Sequence, residues 1–316
     1  MATYKGIKGM HINTVAGDIG TVQLGDIWYN SILGKVRVGK TTAGSWASGG
    51  NMNTGRKAPG GGAGTLTAGL IFGGGDPDIA DAETYDGSSW TEVNNLNTAR
   101  REVGGFGTQT AAIAIAGAVG APSVTLQDVC ESWNGTSWTE VNDANTARRY
   151  TYAAGVSTSG LLVGGNSGSA TNIVESFDGT NWTEVADLNT ARLSLAAAGG
   201  SNTSCLVFGG GWPAKNESET YDGSSWTEGN NLNNGRGEFG GSGIATAALA
   251  TGADKYNEEY DGTSWTEIAD TSNNHTPAIT SGTVAAAFCA GNNSAPFALC
   301  EEWTGEYAAA ATVTSS

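Results

Sequence analysis

The sequence predicts an all-β protein: a β-propeller of six four-stranded blades, or seven if the strands ahead of the repeats form a blade of their own. Three observations lead there. One decapeptide recurs: Glu83-Thr-Tyr-Asp-Gly-Ser-Ser-Trp90-Thr-Glu92 returns as Glu131 to Glu140, Glu175 to Glu184, Glu219 to Glu228 and Glu258 to Glu267. An anchor Trp falls at 46, 90, 138, 182, 226 and 265, so the spacing is 44, 48, 44, 44 and 39 residues, the length of one four-stranded blade. Composition agrees with both. Of 316 residues 49 are Gly, but only 6 are Pro and no triplet period runs through the chain, which excludes collagen; 39% hydrophobic residues and ten Trp exclude a solvated tail.

The elements follow in chain order. Residues 1–26 read as a docking arm and residues 27–55 as N-terminal strands. Ile27-Trp-Tyr-Asn30 and Gly34-Lys-Val-Arg-Val38 are two strands joined by Ser31-Ile-Leu33, and Trp46 closes a third. They make a partial seventh blade or pair with the last repeat to close the ring, and the sequence leaves both open. Residues 56–316 are the propeller. Its units open at Arg56, Arg100, Arg148, Arg192, Arg236 and His275, the last filling the Arg column. In the unit Arg192 to Trp226, the small residues from Leu193 to Gly200 suit a first strand at the crowded axis. Thr203 to Phe208 form a second strand ended by Gly209-Gly210, Glu219-Thr-Tyr-Asp222 a third, and Trp226-Thr-Glu228 a fourth. The pairs Asp86-Gly87, Asn134-Gly135, Asp178-Gly179, Asp222-Gly223 and Asp261-Gly262 supply the positive φ that a tight hairpin between strands three and four needs. In the last copy Tyr307 stands where the anchor Trp is expected.

These residues resemble kelch repeats. The shared marks are the double Gly ending strand two (Gly73-Gly74, Gly164-Gly165, Gly209-Gly210), the aromatic residue on strand three and the Trp on strand four, over residues 56–307. The sequence departs from the kelch pattern in the four residues between Tyr85 and Trp90, a shorter gap than usual, and in Ala116-Gly117 and Thr251-Gly252, which replace the double Gly. The repeated Gly-Thr-Ser-Trp-Thr-Glu wording is similar to kelch-like structural proteins of tailed, especially marine, bacteriophages. So is the opening, Tyr4-Lys-Gly-Ile-Lys-Gly9 and Gly25-Asp-Ile-Trp-Tyr-Asn30. That resemblance implies a virion component, assembled in the host cytoplasm, with other virion proteins as partners through the arm.

Charge narrows the partners. Fifteen basic against 31 acidic residues give −16, which repels nucleic acid and anionic lipid. The balance is uneven: residues 1–57 hold seven basic and two acidic residues, a net +5, and the remainder carries −21. A basic segment ahead of an acidic ring docks on an acidic partner or on its own ring, and Lys5, Lys8, Lys35 and Arg37 are its candidate contacts. No run reaches the roughly 18 apolar residues of a membrane span, and the N-terminus lacks the pattern of a secretory leader. Cys130, Cys205, Cys289 and Cys300 show no C-x-x-C spacing and read as buried free thiols.

No catalytic constellation, metal site or cofactor motif stands out. The Arg column and the Glu columns (Glu83, Glu131, Glu175, Glu219, Glu258, Glu301 and Glu92, Glu140, Glu184, Glu228, Glu267) recur in nearly every unit, as stacking residues do and catalytic ones do not. They are expected to form ion pairs. His11 and His275 are the only His, and Gly241-Ser-Gly lies inside a repeat rather than at a nucleophile elbow. Variation is concentrated instead in the connections between strands two and three: Asp76-Pro-Asp-Ile79, Ala118 to Gln127, Asn166 to Thr171, Gly211 to Lys215, Ala253 to Tyr256 and Asn292 to Phe297. Variable loops on a rigid scaffold are where recognition is built. Trp212, Lys215, Lys255, Tyr256 and Phe297 are the candidate anchors there, because aromatic and cationic side chains carry interface energy. The expected function is therefore a non-enzymatic virion protein that displays a variable face to a host-surface glycan or protein, or to neighbouring subunits, self-association being left open. The alternatives are a glycan-active enzyme acting through an unrepeated carboxylate such as Asp76 or Asp254, and a soluble protein-interaction scaffold.

Overall fold

The computed structural model describes residues 12–23, 25–57, 60–120, 123–292, 294–295 and 297–312. Among them there are strands and turns but no helix, hence none long and apolar enough to cross a membrane. The chain divides into two compact units, Ser45–Thr304 and a smaller one made of Met1–Gly44 with Gly305–Ser316.

The larger unit is built of four-stranded antiparallel sheets, one per repeat. The first holds Gly61–Thr65, Ala68–Phe72, Ala82–Tyr85 and Trp90–Val93; the second Gly104–Thr108, Ala111–Val119, Thr125–Trp133 and Trp138–Val141. Tyr152–Val156, Ser159–Val163, Val174–Phe177 and Trp182–Glu184 follow, then Ala196–Ser201, Ser204–Phe208, Ser218–Tyr221 and Trp226–Glu228. The fifth sheet comprises Gly240–Ile244, Ala247–Thr251, Asn257–Tyr260 and Trp265–Glu267. The sixth takes Ile279–Thr283, Ala286–Ala290 and Cys300–Thr304 from the end of the unit and its fourth strand, Ser45–Ser48, from the beginning. Each first strand lies against the first strand of the next sheet, and that of the sixth lies against that of the first, a propeller-like arrangement.

Of the N-terminal strands, Ser45–Ser48 pairs with Cys300–Thr304 of the last repeat, while Ile27–Asn30 and Lys35–Thr42 pair with each other instead. Trp46 sits opposite Trp303, their rings 5.4 Å apart, so the residue that completes the last repeat lies ahead of the first. Tyr307 does not take the anchor's place; it begins Tyr307–Thr312, which pairs with Lys35–Thr42 in the smaller unit. There Asn13–Val15 runs parallel to Ile27–Asn30, and Ile27–Asn30 forms the expected hairpin with Lys35–Thr42.

Side-chain size explains why the first strands face inward. A Cβ placed on Gly105 falls 2.6 Å from Phe72 Cζ and 2.8 Å from the backbone nitrogen of Gly62, so nothing larger fits. The anchor Trp residues hold the outer strands. Trp182, 6% exposed, sits opposite Phe177 at 4.8 Å between ring centres, and Phe106 of the preceding sheet meets it edge-on at 6.3 Å. Phe72 meets Trp138 and Phe288 meets Trp90 in the same way, so these anchors serve two sheets. One expected loop is shorter than the sequence suggests. Ala118 to Gln127 is largely ladder, because a bulge at Ala116, with φ +63°, lets Gly117, Ala118 and Val119 go on pairing with Gln127, Leu126 and Thr125.

Repeated charges rivet neighbouring sheets, but only the first of the two Glu columns pairs with the Arg column. Glu92, Glu140, Glu184, Glu228 and Glu267, also expected in ion pairs, point to solvent on the fourth strands, and no ion pair is found for them among the described residues. Arg148 pairs with Glu175 at 2.9 Å, both fully buried, and its carbonyl accepts the N–H of Gly117 from the preceding sheet at 2.9 Å. Glu175 also accepts the N–H groups of Asn145 and Thr146, at 2.6 and 3.3 Å, and the Asn145 side chain reaches the Trp182 carbonyl at 3.1 Å. Arg56–Glu83, Arg100–Glu131, Arg192–Glu219 and Arg236–Glu258 repeat the pair at 3.1, 3.2, 2.5 and 2.9 Å. The carbonyls of Arg100, Arg192 and Arg236 take the N–H groups of Gly74, Gly165 and Gly210, and that of Arg56 takes the N–H of Asn292 across the closure. His275 completes the cycle: Nε2 lies 3.4 Å from Glu301, Nδ1 lies 2.8 Å from the Gly291 carbonyl, and its own carbonyl takes the N–H of Ala253.

Two outcomes follow from this packing. Trp182→Ala should cost about 3–5 kcal/mol in denaturant unfolding; an unchanged transition contradicts the packing. The second concerns His275. Burial opposes its charge, but the Cys289 thiol, Glu301 and the Gly291 carbonyl prevail and raise its pKa from 6.5 to about 10. A raised pKa gives stability that is complete below 6.5 and fades as pH rises through about 10. His275→Arg should therefore flatten the decline in melting temperature across that window; parallel profiles for the two proteins contradict the buried charged pair.

Candidate functional site

Two residues beyond four of these residues, Arg100, Arg148, Arg192 and Arg236, the backbone turns left-handed. Glu102, Tyr150, Ser194 and Glu238 have φ of +58°, +51°, +51° and +59°, a conformation that costs non-Gly residues about 1–3 kcal/mol and gathers at functional sites. Their side chains line one recess of about 50 Å³ together with Val103, Tyr152, Leu195 and Phe239. Connections between strands two and three lie on this side, as the bond from Gly74 N–H to the Arg100 carbonyl places them.

Tyr152 forms the floor. It leaves the third sheet, crosses to the fifth, donates its hydroxyl to the Gly241 carbonyl at 2.6 Å and accepts the Gly241 N–H at 2.8 Å. Thr280 of the sixth sheet stands 3.5 Å from the same oxygen. Tyr152 also lines a second cavity of about 110 Å³, bounded by small residues of the first strands such as Gly64, Gly107, Gly243 and Gly282.

The electrostatics of the recess are asymmetric. Glu102 is buried and held by Arg149 at 3.4 Å, by Arg101 at 3.6 Å and by the Tyr150 hydroxyl. Arg101 also grips Asp78. Burial raises the Glu102 carboxyl above its usual range, with Arg149, Tyr150 and Arg101 opposing it. The same burial, with Glu102 beside it, pushes the Tyr150 phenol up to about 12. Glu238 is raised by burial, and no ion pair is found for it among the described residues. Ser194 is buried and its hydroxyl oxygen is sealed from solvent, with no hydrogen-bond partner among the described residues.

Of the sequence-derived anchors, Trp212 reaches this rim. It is 62% exposed and meets Tyr150 edge-on at 5.7 Å, while Arg149 covers the Tyr150 ring at 4.8 Å. Lys215 is half-buried on the same connection, its N–H donating to Gly210 and its carbonyl accepting from Arg236. Lys255 and Tyr256 lie on the fifth sheet's connection; Lys255 Nζ donates to the Ser272 carbonyl at 2.6 Å, and Tyr256 is 52% exposed. Phe297 packs half-buried beside Gly55 and accepts the Arg56 N–H at 3.1 Å. None of these four lines the recess. Lys5 and Lys8 fall outside the described residues. Lys35 is exposed, and Arg37 forms an ion pair with Asp18 at 3.1 Å. Asp76 pairs with Lys57 at 3.1 Å and Asp254 accepts from Asn274 at 3.2 Å, both in exposed loops rather than in the recess.

The four recess residues escape a search for repeated columns, since the column two places after the five Arg residues holds Ala, Glu, Tyr, Ser and Glu. That irregularity amid strict repeats is the signal that marks them. No family model matches this chain, and no characterised protein matches it either.

Proposed function

We propose that the chain is a non-enzymatic structural component of a tailed-phage particle: a six-bladed, kelch-like β-propeller attached through its N-terminal region. On this reading the face of the strand-two-to-three connections is displayed for adhesion, receptor binding or subunit contacts, as part of a fibre, a spike or a capsid decoration. Its partners are other virion proteins on one side and a host-surface glycan or protein on the other.

One observation carries the reading. The Arg column and the first Glu column are bound to each other inside the sheets, whereas unrepeated side chains gather on one face, around Glu102, Tyr150, Ser194, Trp212 and Glu238. A scaffold with constant internal pairs and a variable rim is organised for recognition. The resemblance of the repeat wording and of residues 4–9 and 25–30 to phage proteins supplies the particle. The smaller unit offers contacts for attachment: Ile32 and Leu33 at a hairpin tip are 74% and 52% exposed, next to exposed Lys35.

Mass spectrometry of purified particles should find the full chain. A chain trimmed to residues 45–304 should fold, because Ser45–Ser48 completes the sixth sheet, yet be missing from particles. Absence of the full chain, or equal incorporation of the trimmed one, overturns the proposal.

A further inference from the structure

We propose that Asn134 is a self-modifying position: the turn it opens promotes attack of the Gly135 nitrogen on its side-chain amide, and water then converts it to an acidic residue, the charge that the four corresponding turns already carry. The chemistry needs neither a particle nor a partner, so it holds whether or not the chain belongs to a virion.

The turn between strands three and four is built alike in five sheets. One carboxylate oxygen of Asp86 accepts the N–H groups of Ser88 and Ser89, both at 2.8 Å, and Asp178, Asp222 and Asp261 do the same at 2.7–2.9 Å. In the second sheet Asn134 fills that place with its amide oxygen, which takes the N–H groups of Thr136 and Ser137, each at 2.9 Å. Two N–H groups so placed stabilise the negative charge that gathers on this oxygen when a nucleophile adds to Cγ, as an oxyanion hole does. The group that leaves, the Nδ2 amine, donates to the Ser137 hydroxyl at 3.4 Å. Gly135 follows, exposed like Asn134 and with φ +89°, and has no side chain to shield its nitrogen. A carboxylate suits the same place. The N–H of Ser89, with the hydroxyl and N–H of Ser88, lowers the Asp86 carboxyl from 3.8 to about 2, and Ser225 and Ser224 lower Asp222 equally.

The Gly135 nitrogen gives its proton to hydroxide and bonds to Cγ. The Cγ–Nδ2 bond breaks, Nδ2 takes a proton from water and leaves as ammonia, and a cyclic imide remains. Water adds to one imide carbonyl and the C–N bond there breaks, which restores an N–H and leaves a carboxylate. Opening at Cγ gives aspartate, and opening at the α-carbonyl gives isoaspartate with the same added charge. One water enters, one ammonia leaves, and no electron is transferred. The chain's other Asn-Gly pair, Asn234-Gly235, is a control inside the molecule. Asn234 donates its N–H to Glu258 at 3.4 Å and its side-chain amide to Glu267 at 3.1 Å, and no N–H is found on its amide oxygen among the described residues. There the developing oxyanion has no donor, and the Glu267 carboxylate opposes it.

The test incubates the full folded chain at neutral and mildly alkaline pH in water labelled with heavy oxygen, then digests it in ordinary water and follows the Asn134 and Asn234 peptides by mass spectrometry. The label separates conversion in the folded chain from conversion during digestion, and both acidic products count. Expected is conversion of Asn134 at least roughly tenfold faster than that of Asn234, with the two rates converging when the incubation is repeated in denaturant. Asn134→Asp should melt no lower than the parent at neutral pH. An Asn134 that keeps its amide, conversion no faster than at Asn234, a tenfold ratio that persists in denaturant, or early melting of Asn134→Asp overturns the inference.

Discussion

Each buried Arg in this protein works in two directions at once. The guanidinium of Arg148 enters the sheet that follows and meets Glu175, while its backbone carbonyl is held by Gly117 of the sheet before. A charge taken out of water is costly unless it is paired and its remaining donors are satisfied. Here Glu175 answers the charge and the Leu162 carbonyl takes a second guanidinium donor, while Nε is left without a partner among the described residues; the free carboxylate capacity goes to the N–H groups of Asn145 and Thr146. The connecting segment, which has no ladder of its own, thus acquires fixed geometry. Six such pairs, the last of them His275 with Glu301, stand one to each sheet of the larger unit.

That constraint also creates the recess. Once the Arg carbonyl is tied to the preceding sheet and the first strand must begin at the axis, the chain has two residues in which to turn. It does so by going left-handed at Glu102, Tyr150, Ser194 and Glu238, which directs four chemically different side chains toward one opening. The structural repeat therefore generates a position where sequence is free to differ. Tyr152 bounds the opening from below by bridging the third and fifth sheets. Burial acts oppositely on the two kinds of charge: Arg148 and Arg236 are lowered by burial against the opposing pull of Glu175 and Glu258, whereas Glu238 is raised by burial, with no ion pair among the described residues.

Much of the scaffold was legible from residue identities. Periodic Trp and Glu-to-Glu decapeptides gave the sheets, Asp-Gly and Asn-Gly gave the outer hairpins, and repetition marked the Arg column and the first Glu column as ion pairs but did not separate them from the second Glu column, which faces solvent. Ring closure was not decidable, because nothing local in Ser45–Ser48 states that its partner lies at Trp303. The extended hairpin after Ala116 was hidden for a different reason: a bulge keeps the ladder alive past a residue that reads as a loop start. The site was legible only in part. Trp212 was found because exposed aromatics in variable loops are visible in sequence. Glu102, Tyr150, Ser194 and Glu238 were not, because their residue types do not encode positive φ, and the carboxylates singled out instead, Asp76 and Asp254, lie in exposed loops.

The carboxylates paired with the Arg column hold the sheets together, and the unrepeated Glu238 does not. Equilibrium unfolding of Glu175→Ala beside Glu238→Ala tests it most directly. Removing Glu175 leaves Arg148 buried without its counter-charge and should cost about 3–5 kcal/mol, while removing Glu238 should leave stability at or above that of the parent chain. A Glu175→Ala protein as stable as the parent, or a Glu238→Ala protein destabilised to the same degree, contradicts the account.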